Sequence, residues 1–209
     1  MQEQIITLIR LDLLFETIGG IIALMVAYYA TKAFNLTGQK RLSDLSTGFL
    51  VLAAGLFSHV GGTWYFFVRL GIEGELNPDL TRMIALITVV YHLLRMMAYV
   101  LFVVSTRRSM RTKKPETLML LALPVLIDIN LEILTIIILL VVVLQAFMNY
   151  AVVRSRYALY VLTGFSLFLV SHLFLILAAD NVGTYLLSQA LQLLGFIAFL
   201  VMLYKAGRE

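Results

Sequence analysis

The sequence predicts an all-α fold, a polytopic transmembrane helical bundle of about seven spans. Three observations carry that expectation: an extreme composition, apolar stretches of membrane-crossing length, and a one-sided placement of Lys and Arg. Of the 209 residues 61% are hydrophobic and 13% charged, and the mean hydropathy is +0.96. Soluble domains run near 45–50% apolar and about 25% charged, and a globule of this size has too little interior to hide the excess. A large soluble catalytic domain and disorder are both excluded. With no cysteine in the chain, disulfides, thiol catalysis, iron–sulfur ligation and cysteine zinc sites fall away as well.

Crossing roughly 30 Å of hydrocarbon takes about 20 apolar residues in a helix. Such stretches stand at about 15–34, 48–69, 83–105, 132–153, 158–179 and 184–204. Residues 1–14 hold Arg10 and Asp12 and lack the basic start and cleavage site of a signal peptide, so they are expected to extend helix one. A seventh stretch, 116–130, is short and carries Pro124. Charge decides whether it crosses. If it does, Lys32, Lys40, Arg41, Arg107, Arg108, Arg111, Lys113, Lys114, Arg154, Arg156, Lys205 and Arg208 share one side, which is 12 of the 16 basic residues. The positive-inside rule makes that side cytoplasmic. With six spans the loop charges split 8 to 6. Seven spans are therefore expected in a prokaryotic plasma membrane, with the N-terminus outside and the C-terminus cytoplasmic. The net charge of +4 is then an orientation signal, and nucleic acid is not an expected partner. The basic run 107–114 (RRSMRTKK) sets orientation and also offers a surface to anionic lipid or a cytoplasmic protein.

The chain repeats itself at an offset of 116 residues. Asp12 matches Asp128, Glu16 matches Glu132, and Thr47-Gly48-Phe49 matches Thr163-Gly164-Phe165. Between residues 12 and 49 there are 10 identities, where apolar composition alone would give roughly three or four. After a three-residue slip Ser58-His59 matches Ser171-His172, and at an offset of 100 His92-Leu93-Leu94 matches Gln192-Leu193-Leu194. The single domain, 1–209, thus divides into a repeat unit of about 1–108, a connecting helix of about 116–130 and a second unit of about 131–209. With the connecting helix crossing, the units run parallel, an arrangement known in transporters with sites at the repeat interface.

All three histidines fall inside predicted spans. At 1.5 Å per residue His59, His92 and His172 lie about 16, 18 and 20 Å from the cytoplasmic edge of their helices, and Gln192 stands at the same level. Intramembrane ionisable groups are costly and point to function. Three uses compete. Two histidines at matched depth suit axial ligation of a haem b iron, with Gly55, Gly61 and Gly62 admitting a flat macrocycle. His59 and His172 are the expected pair, facing each other across a pseudo-twofold axis, with His92 the third candidate. Alternatively the layer binds a divalent ion, although no carboxylate is expected at that depth, or it carries protons or substrate. The bland reading is hydrogen-bonding glue between helices. Arg95, one turn from His92, needs an anion, and with Gln192 it is a candidate for substrate contact. Glu16 and Glu132 are placed near the outer edge, too shallow to reach it.

No GxSxG, HExxH, Walker or GxGxxG pattern occurs, and no catalytic constellation is expected. The leading expectation is a b-type haem-binding electron-transfer or membrane-anchor subunit. The alternatives are a small transporter or ligand-binding sensor with its site at the repeat interface, and a non-catalytic subunit of a larger membrane complex.

The segments Ala27-Tyr28-Tyr29-Ala30-Thr31-Lys32-Ala33-Phe34, Thr37-Gly38, Leu45-Ser46-Thr47-Gly48-Phe49, the stretch from Thr163-Gly164-Phe165 to Ser171-His172, and Leu191-Gln192-Leu193-Leu194-Gly195-Phe196 resemble small multi-pass membrane proteins of prokaryotes, mainly archaea, of unassigned activity. The resemblance covers about half the chain. It implies a prokaryotic membrane and a recurring helical unit, and it brings no activity. The layout is also similar to that of the SWEET sugar transporters, whose Pro-Gln motifs this sequence lacks, so that likeness is one of architecture alone.

Overall fold

A computed structural model describes residues 2–73, 78–106, 131–178 and 181–206. They form six helices: α1 (Gln2–Thr37), α2 (Lys40–Glu73), α3 (Pro78–Thr106), α4 (Leu131–Val153), α5 (Arg156–Leu177) and α6 (Val182–Ala206). Each is long and apolar enough to cross a membrane. The described residues are all-helical, and the protein is a multi-pass membrane protein. Six spans are seen where seven were expected, and the stretch 116–130 and the basic run 107–114 both lie outside the described residues.

The helix ends show why the sequence breaks where it does. Gly38 follows α1 with φ of 67°, and its N–H donates to the Phe34 carbonyl at 2.7 Å, a left-handed cap that glycine adopts without strain. Arg154, 116 residues later, takes the same conformation (φ 48°) and donates to Tyr150 at 2.8 Å, so the duplicated turn survives without its glycine. Ser155 then caps α5, its hydroxyl accepting from the Ala158 N–H at 3.1 Å. Asn181 caps α6 by accepting from Gly183 N–H at 2.9 Å.

The helices close into a ring in which each packs on the next and α6 packs back on α1. Most neighbours are antiparallel. Two pairs are parallel: α3 with α4, joined by Arg95–Glu132 and Thr106–Gln145, and α1 with α6, joined by Asp12–Gln189 and by Gly19 against Phe196. The two three-helix units are therefore related by a rotation about the bundle axis. The ring interior is aromatic. Phe102 packs on Phe49 and Phe165 at centroid distances of 4.8 and 5.3 Å, and Phe199 packs on the same two rings at 5.0 and 4.7 Å. Side chains such as Ile137, Leu144, Phe147 and Trp64 face outward, where lipid rather than water is the solvent.

This core corrects the register of the duplication. Gly48 is covered by Phe102, and its repeat mate Gly164 is covered by Phe199. Helices α3 and α6 therefore correspond at an offset of 97, from Phe102 to Phe199, and not 100. The mate of Arg95 is then Gln192 and the mate of His92 is Gln189. The sequence match at 100 rested on paired leucines, which recur by composition in any apolar helix, whereas packing of glycine against phenylalanine fixes a register.

Candidate polar site between the two units

Glu132, in the first turn of α4, is the hub of one polar cluster. It accepts from the Arg95 guanidinium on α3 and from Nδ1–H of His172 on α5, while Nε2 of His92 lies 3.8 Å away. Arg95 also lies over the Tyr91 ring, 5.0 Å from its centroid, and reaches the Tyr91 hydroxyl at 3.4 Å. His172 is 1% exposed and Arg95 3%, so the charges are paired in a place where an unpaired one would be costly. The second ring nitrogen of His172 lies 2.8 Å from the Tyr99 hydroxyl. His92 donates its Nδ1–H to the Thr88 carbonyl one turn back at 2.8 Å.

The other unit repeats the motif. Glu16 on α1 is buried and accepts from Nδ1–H of His59 on α2 at 2.7 Å. His59 stacks on Tyr91, ring centroids 4.6 Å apart. One turn earlier on α1, Asp12 accepts from the Tyr185 hydroxyl and from Gln189 at 3.0 Å, both on α6. Each carboxylate thus takes its histidine from its own unit and faces a helix of the other: Glu132 meets α3, and Glu16 meets α6. Gln192, Gln189 and Glu16 line a void of about 10 Å³, room for roughly one water molecule. Among the described residues the Nε2 of Gln192 has no hydrogen-bond partner.

Several expectations change. Glu132 is not too shallow for Arg95. Depth was counted from the ends of apolar stretches, whereas α4 starts level with the middle of α3, and this shift brings the two side chains together. Carboxylates are likewise present at the histidine level, since both glutamates bond to imidazoles. His59 and His172 do not face each other; each turns to the glutamate of its own unit. Gln192 lies at the Glu16 site. Asp12, Tyr91, Tyr99, Tyr185 and Gln189 join the network without having been singled out as site residues. The signal that pointed to the carboxylates was the identity of Glu16 and Glu132 within the repeat.

His59 and His172, the expected haem pair, both contact other side chains of the network. Both nitrogens of His172 are engaged, and His59 is stacked face-on against Tyr91. Two of the three glycines expected to admit a macrocycle face α3: a Cβ at Gly55 would stand 3.2 Å from Leu94 and one at Gly62 would stand 2.7 Å from Ile87, while one at Gly61 would meet nothing within 4 Å. Among the described residues no group of three or more His, Asp and Glu is placed to hold a metal ion.

At the basic end of the bundle a second cavity, about 250 Å³, opens between the units. Arg41, Ser105, Asn149, Ser155 and Tyr157 supply its polar lining, and Leu45, Ala146 and Met202 its apolar floor. Between this cavity and the carboxylate layer stand the packed Phe rings. Comparison with protein-family models, curated proteins and solved structures finds no match to this chain.

Proposed function

We propose that this protein is a small proton-linked transporter of the prokaryotic plasma membrane, built from two parallel three-helix units. The observation that carries the proposal is the duplicated pair: Glu16–His59 and Glu132–His172 sit at equivalent places in the two units, with Glu16, Glu132 and His172 buried and His59 half-buried, at the interfaces where one unit meets the other. Carboxylate–imidazole pairs in a membrane interior are a recurring means of carrying protons. The cavity at the basic end supports the same reading, because it is wide enough for a small polar solute while the aromatic layer closes the path beyond it.

The test is an acidification assay. Protein reconstituted in liposomes with a trapped pH dye, under an imposed inside-negative potential, is expected to acidify the lumen several-fold faster than empty liposomes. Glu16→Gln is expected to abolish that excess. A wild-type trace equal to that of empty liposomes would remove proton movement and leave the network as interhelical glue.

We further propose that 116–130 crosses the membrane as a seventh span, with the N-terminus outside and the C-terminus cytoplasmic. Two facts support it. Helices α3 and α4 run parallel, α3 ending with Ser105 bonded to Arg41 and α4 beginning with Glu132 bonded to Arg95. The basic residues also gather on one side when it crosses. Because the natural chain has no cysteine, single cysteines report topology cleanly. In intact cells an impermeant maleimide is expected to label Asp79→Cys and to miss Lys40→Cys until the membrane is opened. The reverse pattern would invert the orientation.

A further inference from the structure

The two carboxylate sites share a plan and differ at one position. At Glu132 the partner unit supplies Arg95, whose guanidinium bonds the carboxylate. At Glu16 the corresponding residue is Gln192, which carries no charge. Where the guanidinium fills one site, the other holds the void of about 10 Å³ lined by Glu16, Gln189 and Gln192. Gln192 is 9% exposed, and its unpartnered Nε2 is a donor without an acceptor, a costly arrangement in a buried place unless a water or ligand completes it. The charge count differs in the same sense. Glu132 has Arg95, His172 and His92 around it. Glu16 has His59 from α2 and a second carboxylate, Asp12, one turn away on α1. Among the described residues, the polar groups α6 brings to this site are the neutral Tyr185, Gln189 and Gln192. From α3, Tyr91 stacks on His59, and Arg95 on that helix bonds to Glu132.

We infer that the duplicated pairs have divided roles: Glu132 is a fixed structural anion locked by Arg95, and Glu16 is the exchangeable proton site, with one water in the void joining its carboxylate to Gln192. Loading places one proton on a Glu16 carboxylate oxygen by way of that water, and release returns it; no bond other than O–H changes and no electron moves. A proton here reduces the like charge of Glu16 and the half-buried Asp12, one turn apart on α1. The Arg95–Glu132 pair gains nothing from one. The inference deepens the proton-linked reading of the duplicated pairs and rests on it.

Infrared difference spectra of the purified protein, recorded between acid and alkaline buffer, test this without any transport step. Subtracting the Glu16→Gln spectrum from the wild type is expected to isolate the carbonyl stretch of one protonated carboxyl group. Subtracting the Arg95→Gln/Glu132→Gln double variant, which removes both charges of the locked pair together, is expected to isolate none. Gln192→Arg rebuilds the locked arrangement at the open site and is expected to remove the band. Should that larger side chain prevent folding, Gln192→Leu takes away the amide alone, and the midpoint of the band is expected to rise by about one pH unit. A band present in the double-variant subtraction overturns the division of roles, as does one that Asp12→Asn removes and Glu16→Gln leaves. An unmoved midpoint in Gln192→Leu overturns the bridging water. A flat liposome trace with the Glu16 band intact removes transport and keeps the proton site, while the opposite pairing removes the site and keeps transport.

Discussion

Arg95→Gln is expected to lower the stability of the folded bundle by about 3 kcal/mol, measured by reversible unfolding in mixed micelles. The size does not come from a lost hydrogen bond, since interhelical hydrogen bonds in membranes average only about 0.6 kcal/mol. It comes from what remains. With the guanidinium gone, Glu132 is a buried carboxylate held by His172 and by a more distant His92, inside a medium that penalises uncompensated charge. Glu132→Gln is expected to cost a similar amount, because it strands a cation that is 3% exposed. Combining the two substitutions removes both charges and is expected to recover most of the loss, giving a coupling energy of about 2 kcal/mol or more. Glu16→Gln, which strands no arginine, is expected to stay within about 1 kcal/mol of the wild type. Additive losses at Arg95 and Glu132 would sink the account of a locked pair.

The contrast between the two glutamates also shows what could be read from the chain alone. Composition and apolar run lengths sufficed for a multi-pass helical bundle, because the bilayer tolerates few other solutions. The duplication was legible too, since Glu16/Glu132 and Thr47-Gly48-Phe49 against Thr163-Gly164-Phe165 recur at one offset. Hydropathy says how far a helix runs but not how neighbouring helices slide past one another. That slide puts Glu132 level with Arg95, and counting residues from span edges missed it. Nor does depth say which way an imidazole turns. His59 and His172 read as one level in the sequence, yet each is aimed by a glutamate of its own unit, so a matched depth did not make a shared ligand site. Register in α3 and α6 followed the same logic: leucine pairs suggested 100, and the Gly–Phe contacts set 97.

Those Gly–Phe contacts carry the second large effect. Gly48→Ala is expected to destabilise by about 2 kcal/mol, and Gly164→Ala by a similar amount. The added methyl at Gly48 would overlap the Phe102 ring, and at Gly164 it would stand 2.5 Å from Phe199 Cε2. A flexible ring at the surface would swing aside, but neither ring has room. Both are fully buried, and Phe102 is braced by Phe49, Phe165 and Tyr99 while Phe199 is braced by Phe49, Phe165 and Phe168. Interiors packed at crystal density respond to one extra methyl by moving backbone. Since lipid is as apolar as the core, close packing is a main source of helix association here, and little hydrophobic gain offsets the strain. The rescue is specific to the unit. Phe102→Leu should recover much of the loss in Gly48→Ala, and Phe199→Leu much of that in Gly164→Ala. The crossed combinations, Gly48→Ala with Phe199→Leu and Gly164→Ala with Phe102→Leu, should combine both penalties without rescue. If the crossed pairs rescue as well as the matched ones, the register of 97 is wrong, and with it the equivalence of Arg95 and Gln192 on which the two unlike carboxylate sites depend.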